Sequence, residues 1–302
     1  MLIAHLPRHL FVAGEMDVME VLNDLPWVGP LIAALVGLQI GSFLNVLVWR
    51  YPQMMQREWD AQCAEARGED ITPLPVFNLA TPGSSCPHCH TRLRVRDLVP
   101  VLSFVLLKGR CAHCHAPVSW RYPLVETLVM GGWAFCVWHW GWGAQAIAWS
   151  LFATVLLALA LIDADTMLLP DGLTLPLMWA GMLLSSWHLI DLTLMDSVWG
   201  AAAGYGVLWA VQTVFALITG KQGMGEGDFK LLAALGAWLG WVALPVLVLL
   251  ASVGGVCVAL AWRGMGRLQP GQPMPFGPYL AAAGALLAVI PASRWYEWTL
   301  FI

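Results

Sequence analysis

The sequence predicts an all-α polytopic membrane protein with about eight transmembrane helices and a polar, cysteine-containing loop after the first helix. Hydrophobic residues make up 59% of the 302 residues and charged residues only 11%, against about 25% charged residues in average soluble chains. Eighteen tryptophans fit the interfacial belts of membrane proteins. A lipid bilayer is therefore the expected partner of most of the chain, and no nucleic-acid partner is expected.

The first predicted domain, residues 1–48, combines an N-terminal segment with the first transmembrane helix. The predicted span covers residues 27–48, which is close to the 20 or so apolar residues that a helix needs to cross a bilayer. Residues 1–26 carry basic and then acidic side chains without an uninterrupted apolar core. No cleavable signal peptide is therefore expected, and the first helix is predicted to act as an uncleaved anchor.

The second predicted domain is a polar loop over residues 49–122. It holds nine of the fifteen Lys and Arg residues of the chain. Positively charged loops stay on the cytoplasmic side of a membrane. The loop is therefore predicted to be cytoplasmic and the N-terminus to lie outside.

The third predicted domain, residues 123–302, is embedded in the membrane. Alternation from the cytoplasmic loop returns residues 163–172, 219–230 and 263–277 to the cytoplasmic side. The segment 231–239 is too short to cross alone, so it either begins in the preceding loop or forms a re-entrant hairpin with the next span. The predicted spans are 123–140, 145–162, 173–190, 198–219, 231–239, 242–262 and 278–290.

Two acids are predicted to meet at the cytoplasmic boundary of the membrane. Asp163 closes the third span, and Asp228 opens the sixth. Ionisable residues in membrane segments are candidates for function, and two carboxylates in one low-dielectric site share a single proton. One carboxylate of such a pair takes a proton from water while the other donates to a carbonyl oxygen. This is the chemistry of an aspartic peptidase.

Two glycines precede the second acid in the pattern Gly225-Glu226-Gly227-Asp228. Glycine permits close backbone approach and positive φ angles, so an extended peptide is expected to lie against Gly225 and Gly227. The alternative is that both acids are ordinary interfacial residues, with Asp228 as a helix N-cap. Glu226 is expected to be solvated. Asp165 and Asp171 are expected to be ordinary residues of the short loop after the third span, with Asp171 as a cap of the next helix.

Four cysteines in two C-x-x-C pairs lie in the polar loop: Cys86, Cys89, Cys111 and Cys114. The pairs are separated by 21 residues, which favours a tetrahedral Zn²⁺ site of the zinc-ribbon kind. Four protein ligands leave no open position, so the metal is expected to be structural. Free or redox-active thiols remain the alternative. Four histidines lie within the pairs or directly after them, and they either are solvated or replace a thiolate: His88, His90, His113 and His115.

Five stretches in one order carry a resemblance to a known family. They are G-S-F-L-N-V from Gly41, the cysteine loop from Cys86 to Arg121, D-x-D-x-x-x-L-P-D from Asp163, G-x-G-D ending at Asp228, and P-F-G-P from Pro275. Together they resemble the type IV prepilin peptidases, which are bacterial inner-membrane aspartic peptidases also called leader peptidase/N-methyltransferases. The resemblance covers roughly residues 30–290.

The resemblance implies a catalytic pair at Asp163 and Asp228. It also implies prepilin and pseudopilin substrates, cut on the cytoplasmic side between a Gly and a hydrophobic residue, usually Phe. The resemblance further implies that the new N-terminal amine is then methylated with S-adenosylmethionine. By resemblance only, Gly41, Asn45 and Glu126 are candidates for binding the methyl donor. Their alternatives are helix packing, an interhelical hydrogen bond and an interfacial acid, respectively.

The sequence is consistent with three other functions. A peptidase without methyltransferase activity fits the same acids. A proton-coupled transporter predicts acids near the bilayer midplane on broken helices, whereas Asp163 and Asp228 are predicted at cytoplasmic helix ends. A non-catalytic scaffold built around the cysteine loop would need neither acid. The sequence leaves open which pilins or pseudopilins are the substrates.

Overall fold

The computed structural model describes residues 25–69, 75–221, 223–267, 269 and 273–290. In these ranges the chain is helical and forms no strand, which confirms the all-α prediction. The prediction about a signal peptide concerns residues 1–26, which lie almost wholly outside the described residues.

The described ranges contain nine α-helices and two short 3-10 segments, Val95–Leu98 and Trp241–Ala243. Each predicted span coincides with one of these helices, and α2 is a short addition inside the polar loop. The helices are α1 (Val28–Ala66), α2 (Leu102–Leu106), α3 (Arg121–Trp140), α4 (Ala144–Thr166), α5 (Asp171–Ser186), α6 (Leu194–Thr219), α7 (Glu226–Leu239), α8 (Leu244–Gly264) and α9 (Gly277–Ala288).

Four stretches are long and apolar enough to cross a membrane by length and composition: α1, α4, α6 and residues Trp241–Gly264. This finding covers only the described residues, and it supports a membrane protein. The count of eight spans stays a prediction, because α3, α5, α7 and α9 do not meet the same measure of length and hydropathy.

Helix α1 is longer than the predicted span. It continues from residue 49 to Ala66 through Pro52. The residues beyond the apolar stretch are rich in Gln, Glu, Ala and Met, which are good helix formers. At about 1.5 Å per residue, its 39 residues extend well past a hydrocarbon core of about 30 Å. The first part of the polar loop is therefore helical.

Helix α7 lies at the centre of the bundle. It has 14 residues and a length of about 21 Å, and every residue from Leu231 to Leu239 is buried. It begins at Glu226, inside the predicted loop 219–230. This start agrees with the first of the two alternatives for the segment 231–239, in which the span begins in the preceding loop. Neighbouring helices approach it through glycines, since Gly200 and Gly204 of α6 face backbone atoms of Gly236 and Leu232.

Two apolar clusters flank α4. One joins α4 to α7, α8 and α9 through residues such as Phe152, Leu235 and Leu280. The other joins α4 to α1 and α3 through residues such as Ile162 and Val129. Burial of this apolar surface fixes α4 from both sides and so fixes the position of Asp163, which lies in its last turn.

Candidate active site and candidate metal centre

The first predicted acid is buried at the end of α4. Only 4% of the surface of Asp163 is exposed. Its Oδ2 accepts a hydrogen bond from the backbone N–H of Gly277, with an N to O distance of 2.8 Å. Helix α4 ends three residues later, where Met167 adopts a left-handed conformation and donates to the carbonyl of Asp163. Asp163 is therefore held between the end of α4 and the start of α9.

The second predicted acid is buried in the first turn of α7. The exposed fraction of Asp228 is 8%, and its charge interacts with that of Asp163. The N-cap of α7 is Gly225, which has an extended backbone. The interpretation of Asp228 as an N-cap is therefore wrong, because this acid is the third residue inside the helix. The structure brings the two predicted acids together.

The two glycines of the G-x-G-D pattern have different surroundings. A Cβ atom at Gly225 would meet nothing within 4 Å, whereas one at Gly227 would lie 2.7 Å from Cβ of Leu169. Neither glycine has a positive φ angle, so of the two properties that glycine permits, neither position uses the unusual backbone conformation. Gly227 permits close packing against the Leu-Leu-Pro segment after α4, and Gly225 leaves open space beside the acids.

Gly277 makes a contact with Asp163 that sequence reasoning missed. A Cβ atom at this position would lie 2.7 Å from Oδ2 of Asp163, so only glycine lets the α9 backbone reach the carboxylate. The P-F-G-P pattern carried a signal, because Pro278 is in the first turn of α9, where proline is favoured. That signal locates a helix start, but it does not show which side chain the helix start faces.

Two ion pairs surround the acids. Arg121, at the start of α3, binds both carboxylate oxygens of Asp165 at 2.8 and 2.7 Å. Lys230 of α7 binds both oxygens of Asp171 at 2.7 and 2.8 Å. Both neighbouring acids are therefore engaged away from the pair, and Glu226 is exposed as predicted.

A shallow apolar groove of about 320 Å³ opens beside Gly277. It lies between α8 and α9 and is lined by Gly255, Val256, Phe276 and Tyr279, among others. The adjoining face of α8 is exposed, with 57% of Val256 and 64% of Leu260 accessible. The groove reaches Phe276, the residue before Gly277, whose N–H binds Asp163.

The four predicted cysteines converge on one point in the polar loop. Their sulfur atoms all lie within 4.8 Å of one another, and the Sγ atoms of Cys86 and Cys114 are 3.7 Å apart. Zn–S bonds of about 2.3 Å in a tetrahedron place sulfur atoms about 3.8 Å apart. The donor set therefore fits a four-coordinate zinc ion. Hydrogen bonds with Thr91 lower the pKa of the Cys89 thiol to about 6, whereas, against a hydrogen bond with Ala116, burial and the other three thiols raise the pKa of the Cys114 thiol to about 11.

The two C-x-x-C pairs form matching turns. The N–H of His90 donates to the carbonyl of Cys86, and that of His115 donates to the carbonyl of Cys111. Both histidines have positive φ angles. All four loop histidines are exposed, and none belongs to the cysteine group. This arrangement supports the solvated interpretation of the histidines over thiolate replacement.

The three candidates for the methyl-donor site meet where α1 contacts α3. A Cβ atom at Gly41 would lie 2.8 Å from Cα of Glu126, and Asn45 donates to the carbonyl of Tyr122 at 3.2 Å. Glu126 accepts a hydrogen bond from the N–H of Val101 at 2.7 Å. The contacts of Gly41 and Asn45 are of the kind that their alternatives expect, whereas Glu126 is a buried, hydrogen-bonded carboxylate and not an exposed interfacial acid. The role of all three residues in binding the donor stays a prediction.

Two family models match most of the chain. Residues 35–140 match the family described as Bacterial Peptidase A24 N-terminal domain, and residues 150–260 match the Type IV leader peptidase family. No solved structure matches the chain.

Curated relatives match along nearly their whole lengths. The chain is 46% identical over 272 residues to a protein of Stutzerimonas stutzeri named prepilin leader peptidase/N-methyltransferase. The aligned region covers 89% of this chain and 93% of the relative. A protein of Dickeya chrysanthemi with the same name is 46% identical, over 91% of this chain and 97% of the relative. Another of Pseudomonas aeruginosa, also with this name, is 44% identical, over 89% of this chain and 93% of the relative.

Proposed function

This chain belongs to the type IV leader peptidase family, and we propose that it removes the basic leader from type IV prepilins and pseudopilins. The observation that carries this proposal is the pair of buried, interacting carboxylates of Asp163 and Asp228 at the ends of α4 and α7. Cleavage follows a Gly of the substrate. We propose that it occurs on the cytoplasmic side of the bacterial inner membrane, where the Lys- and Arg-rich loop is predicted to lie.

The two acids divide the work of peptide hydrolysis. One carboxylate accepts a proton from the attacking water, while the other, protonated, donates to the carbonyl oxygen of the scissile bond. The Gly277 N–H, at the start of α9, stabilises negative charge on Asp163. The open space beside Gly225 admits an extended peptide, and the apolar groove along α8 receives the hydrophobic segment that follows the cut.

The test uses a peptide of basic leader, Gly and Phe with purified protein in detergent, and mass spectrometry of the products. Asp163→Asn and Asp228→Asn are each expected to abolish cleavage, because each removes one half of the proton transfer. Asp165→Asn is the matched control: it lies two residues from Asp163 but pairs with Arg121, and it is expected to keep cleavage. Normal processing by either of the first two variants would rule out the aspartic mechanism.

We further propose that the chain methylates the new N-terminal amine with S-adenosylmethionine, since the curated relatives are named N-methyltransferases. The donor supplies an electrophilic methyl group, and the chain must bind and orient the amine. Gly41, Asn45 and Glu126 are the candidates for holding the donor. A pre-cleaved peptide beginning with Phe is expected to gain one methyl group in the Asp163→Asn variant, and Asn45→Ala is expected to lower methylation without lowering cleavage.

We propose zinc as the metal held by Cys86, Cys89, Cys111 and Cys114, in a structural role. Metal analysis of purified protein is expected to find about one zinc per chain. A Cys86→Ser/Cys111→Ser variant is expected to lose it, whereas the exposed His113→Ala variant keeps it. Absence of metal from a preparation made without chelators would contradict the assignment.

A further inference from the structure

The loop that carries the four cysteines also presents an exposed apolar surface, on the short helix α2. Leu102, Val105 and Leu106 occupy positions i, i+3 and i+4, which lie on one side of a helix, and 54%, 63% and 71% of their surfaces are exposed. Trp120 adjoins them, since its ring centroid lies 4.8 Å from that of Phe104, and it is 77% exposed. We call Leu102, Val105, Leu106 and Trp120 the apolar face of α2. An exposed apolar patch marks a contact with a membrane or another protein.

The start of α2 lies at the depth of the apolar part of α1. Val101, directly before α2, donates its N–H to the carboxylate of Glu126 in α3. A Cβ atom at Gly41 of α1 would lie 2.8 Å from Cα of Glu126, so Glu126 lies beside both segments. Gly41 precedes Arg50, the first charged residue of α1, by nine residues, or about 14 Å along the helix. Since α1 is long and apolar enough to cross a membrane, the start of α2 lies at the level of the bilayer.

Basic side chains flank the apolar face of α2. Between residues 84 and 120 the sequence has five Lys and Arg residues and a single acid, Asp97, whose side chain is only 8% exposed. Lys108 and Arg110 form no ion pair with the residues that the structure describes. This charge favours an anionic partner and disfavours the basic leader of a prepilin. The five basic residues are all exposed: Arg92, Arg94, Arg96, Lys108 and Arg110.

We propose that the apolar face of α2 inserts into the boundary between lipid headgroups and acyl chains, where the flanking basic residues bind anionic headgroups of the same bilayer. Interfacial helices with basic flanks and Trp or Leu on the apolar side insert about 5–10 Å into this region. Depth and charge together select a lipid surface over a soluble partner. The inference goes beyond the proposed peptidase function and does not depend on it, since it involves only the cysteine loop and the start of α3.

The test measures hydrogen exchange at residues 98–108 of the full chain in phosphatidylcholine nanodiscs, with and without phosphatidylglycerol. Exchange is expected to be several-fold slower with phosphatidylglycerol, and added salt is expected to reduce the difference by screening. A Lys108→Gln/Arg110→Gln variant is expected to lose most of the difference, because each basic side chain near an anionic surface strengthens binding about fivefold. Leu106→Gln is expected to speed exchange in both lipids, because it removes part of the inserted apolar surface.

Two matched controls separate the apolar face of α2 from the rest of the polar loop. Val76→Gln changes an apolar residue that is 71% exposed but lies outside this face. Arg67→Gln removes an exposed basic residue that already pairs with Glu69 at 2.8 Å. Both variants are expected to exchange like the wild type at residues 98–108. Thermal unfolding in detergent checks folding, and all variants are expected to keep the wild-type midpoint because the substituted side chains are exposed.

A cross-linking experiment identifies what covers the apolar face of α2. Leu106→p-benzoylphenylalanine places a photoreactive group there and is expected to cross-link to lipid in the nanodiscs. A cross-link between two copies of the chain overturns the proposal, because a second copy would then be the occupant. Exchange that does not depend on phosphatidylglycerol overturns it as well, even where Leu106→Gln speeds exchange, because the basic residues would then bind no headgroup.

Discussion

At the scale of single residues, the position of Asp163 raises an electrostatic problem. A carboxylate in the last turn of a helix faces the partial negative charge of the helix C-terminus. The backbone N–H of Gly277 at the start of α9 offsets this cost, because it donates directly to Oδ2 and adds the positive end of a second helix. Asp228 lies in the first turn of α7, where the partial positive charge of the helix N-terminus stabilises a carboxylate. The two acids are thus stabilised by two different helix starts.

We predict that Gly277→Ala lowers leader cleavage by about ten- to a hundredfold. The added Cβ atom would lie 2.7 Å from the carboxylate oxygen, so Asp163 must rotate away and lose a charge-assisted hydrogen bond worth about 1.5–3 kcal/mol. The measurement is kcat/KM with the leader peptide. Gly206→Ala is the control, since nothing lies within 4 Å of its Cβ position. Equal activity of the two variants would show that Gly277 does not position Asp163.

At the scale of secondary structure, Glu126 links a membrane helix to the cysteine loop. Its carboxylate accepts the N–H of Val101, a residue that has a φ angle of 57° although it is not glycine. Such a conformation is unfavourable for a β-branched residue, and the bond to a buried acceptor helps to hold it. Val101 immediately precedes α2, so its hydrogen bond to Glu126 fixes the position of α2 beside α3.

We predict that Glu126→Ala loosens the cysteine loop, whereas Glu126→Gln largely preserves it. Alanine leaves the Val101 N–H without its acceptor, at a cost of about 1–3 kcal/mol, and glutamine keeps an oxygen in the same place. Hydrogen exchange at residues 99–107 is expected to rise in the alanine variant alone. A loss of methylation in Glu126→Gln without increased exchange would instead assign Glu126 to the methyl donor.

The limits of sequence reasoning follow from the range of each interaction. Apolar runs and charge placement predicted the helices and brought Asp163 and Asp228 to one side, because hydropathy and charge are local properties. The metal site was predicted from a local pattern as well, because its four cysteines lie in one short stretch from Cys86 to Cys114. The Gly277 bond to Asp163 spans 114 residues, and only helix packing determines which backbone group reaches the carboxylate. The role of Glu126 was hidden for the same reason, since its partner is a backbone N–H.

At the scale of the whole molecule, the short helix α7 is held by its neighbours. Trp238 donates to the carbonyl of Leu177 in α5, and Ser197 of α6 donates to the carbonyl of Ala237. Glycines bring the backbones of α6 and α7 into direct contact at Gly200 and Gly236, as small residues do in membrane helix packing. Since α7 carries Asp228 in its first turn, the α6 contact also sets the geometry of the acid pair.

We predict that Gly200→Ala lowers both stability and cleavage, although it lies at the end of the bundle far from the acids. Its Cβ atom would collide with the carbonyl of Gly236, so α6 and α7 must separate, and overpacking of this kind costs about 1–3 kcal/mol. Thermal unfolding in detergent is expected to show a lower midpoint than wild type. Gly206→Ala, on the same helix with open space around its Cβ position, is expected to keep or raise the midpoint, since alanine is the better helix former. A lower midpoint in both variants would point to a general sensitivity of α6 to substitution. A lower midpoint and lower cleavage in Gly200→Ala alone would show that close approach of α6 to α7 positions Asp228.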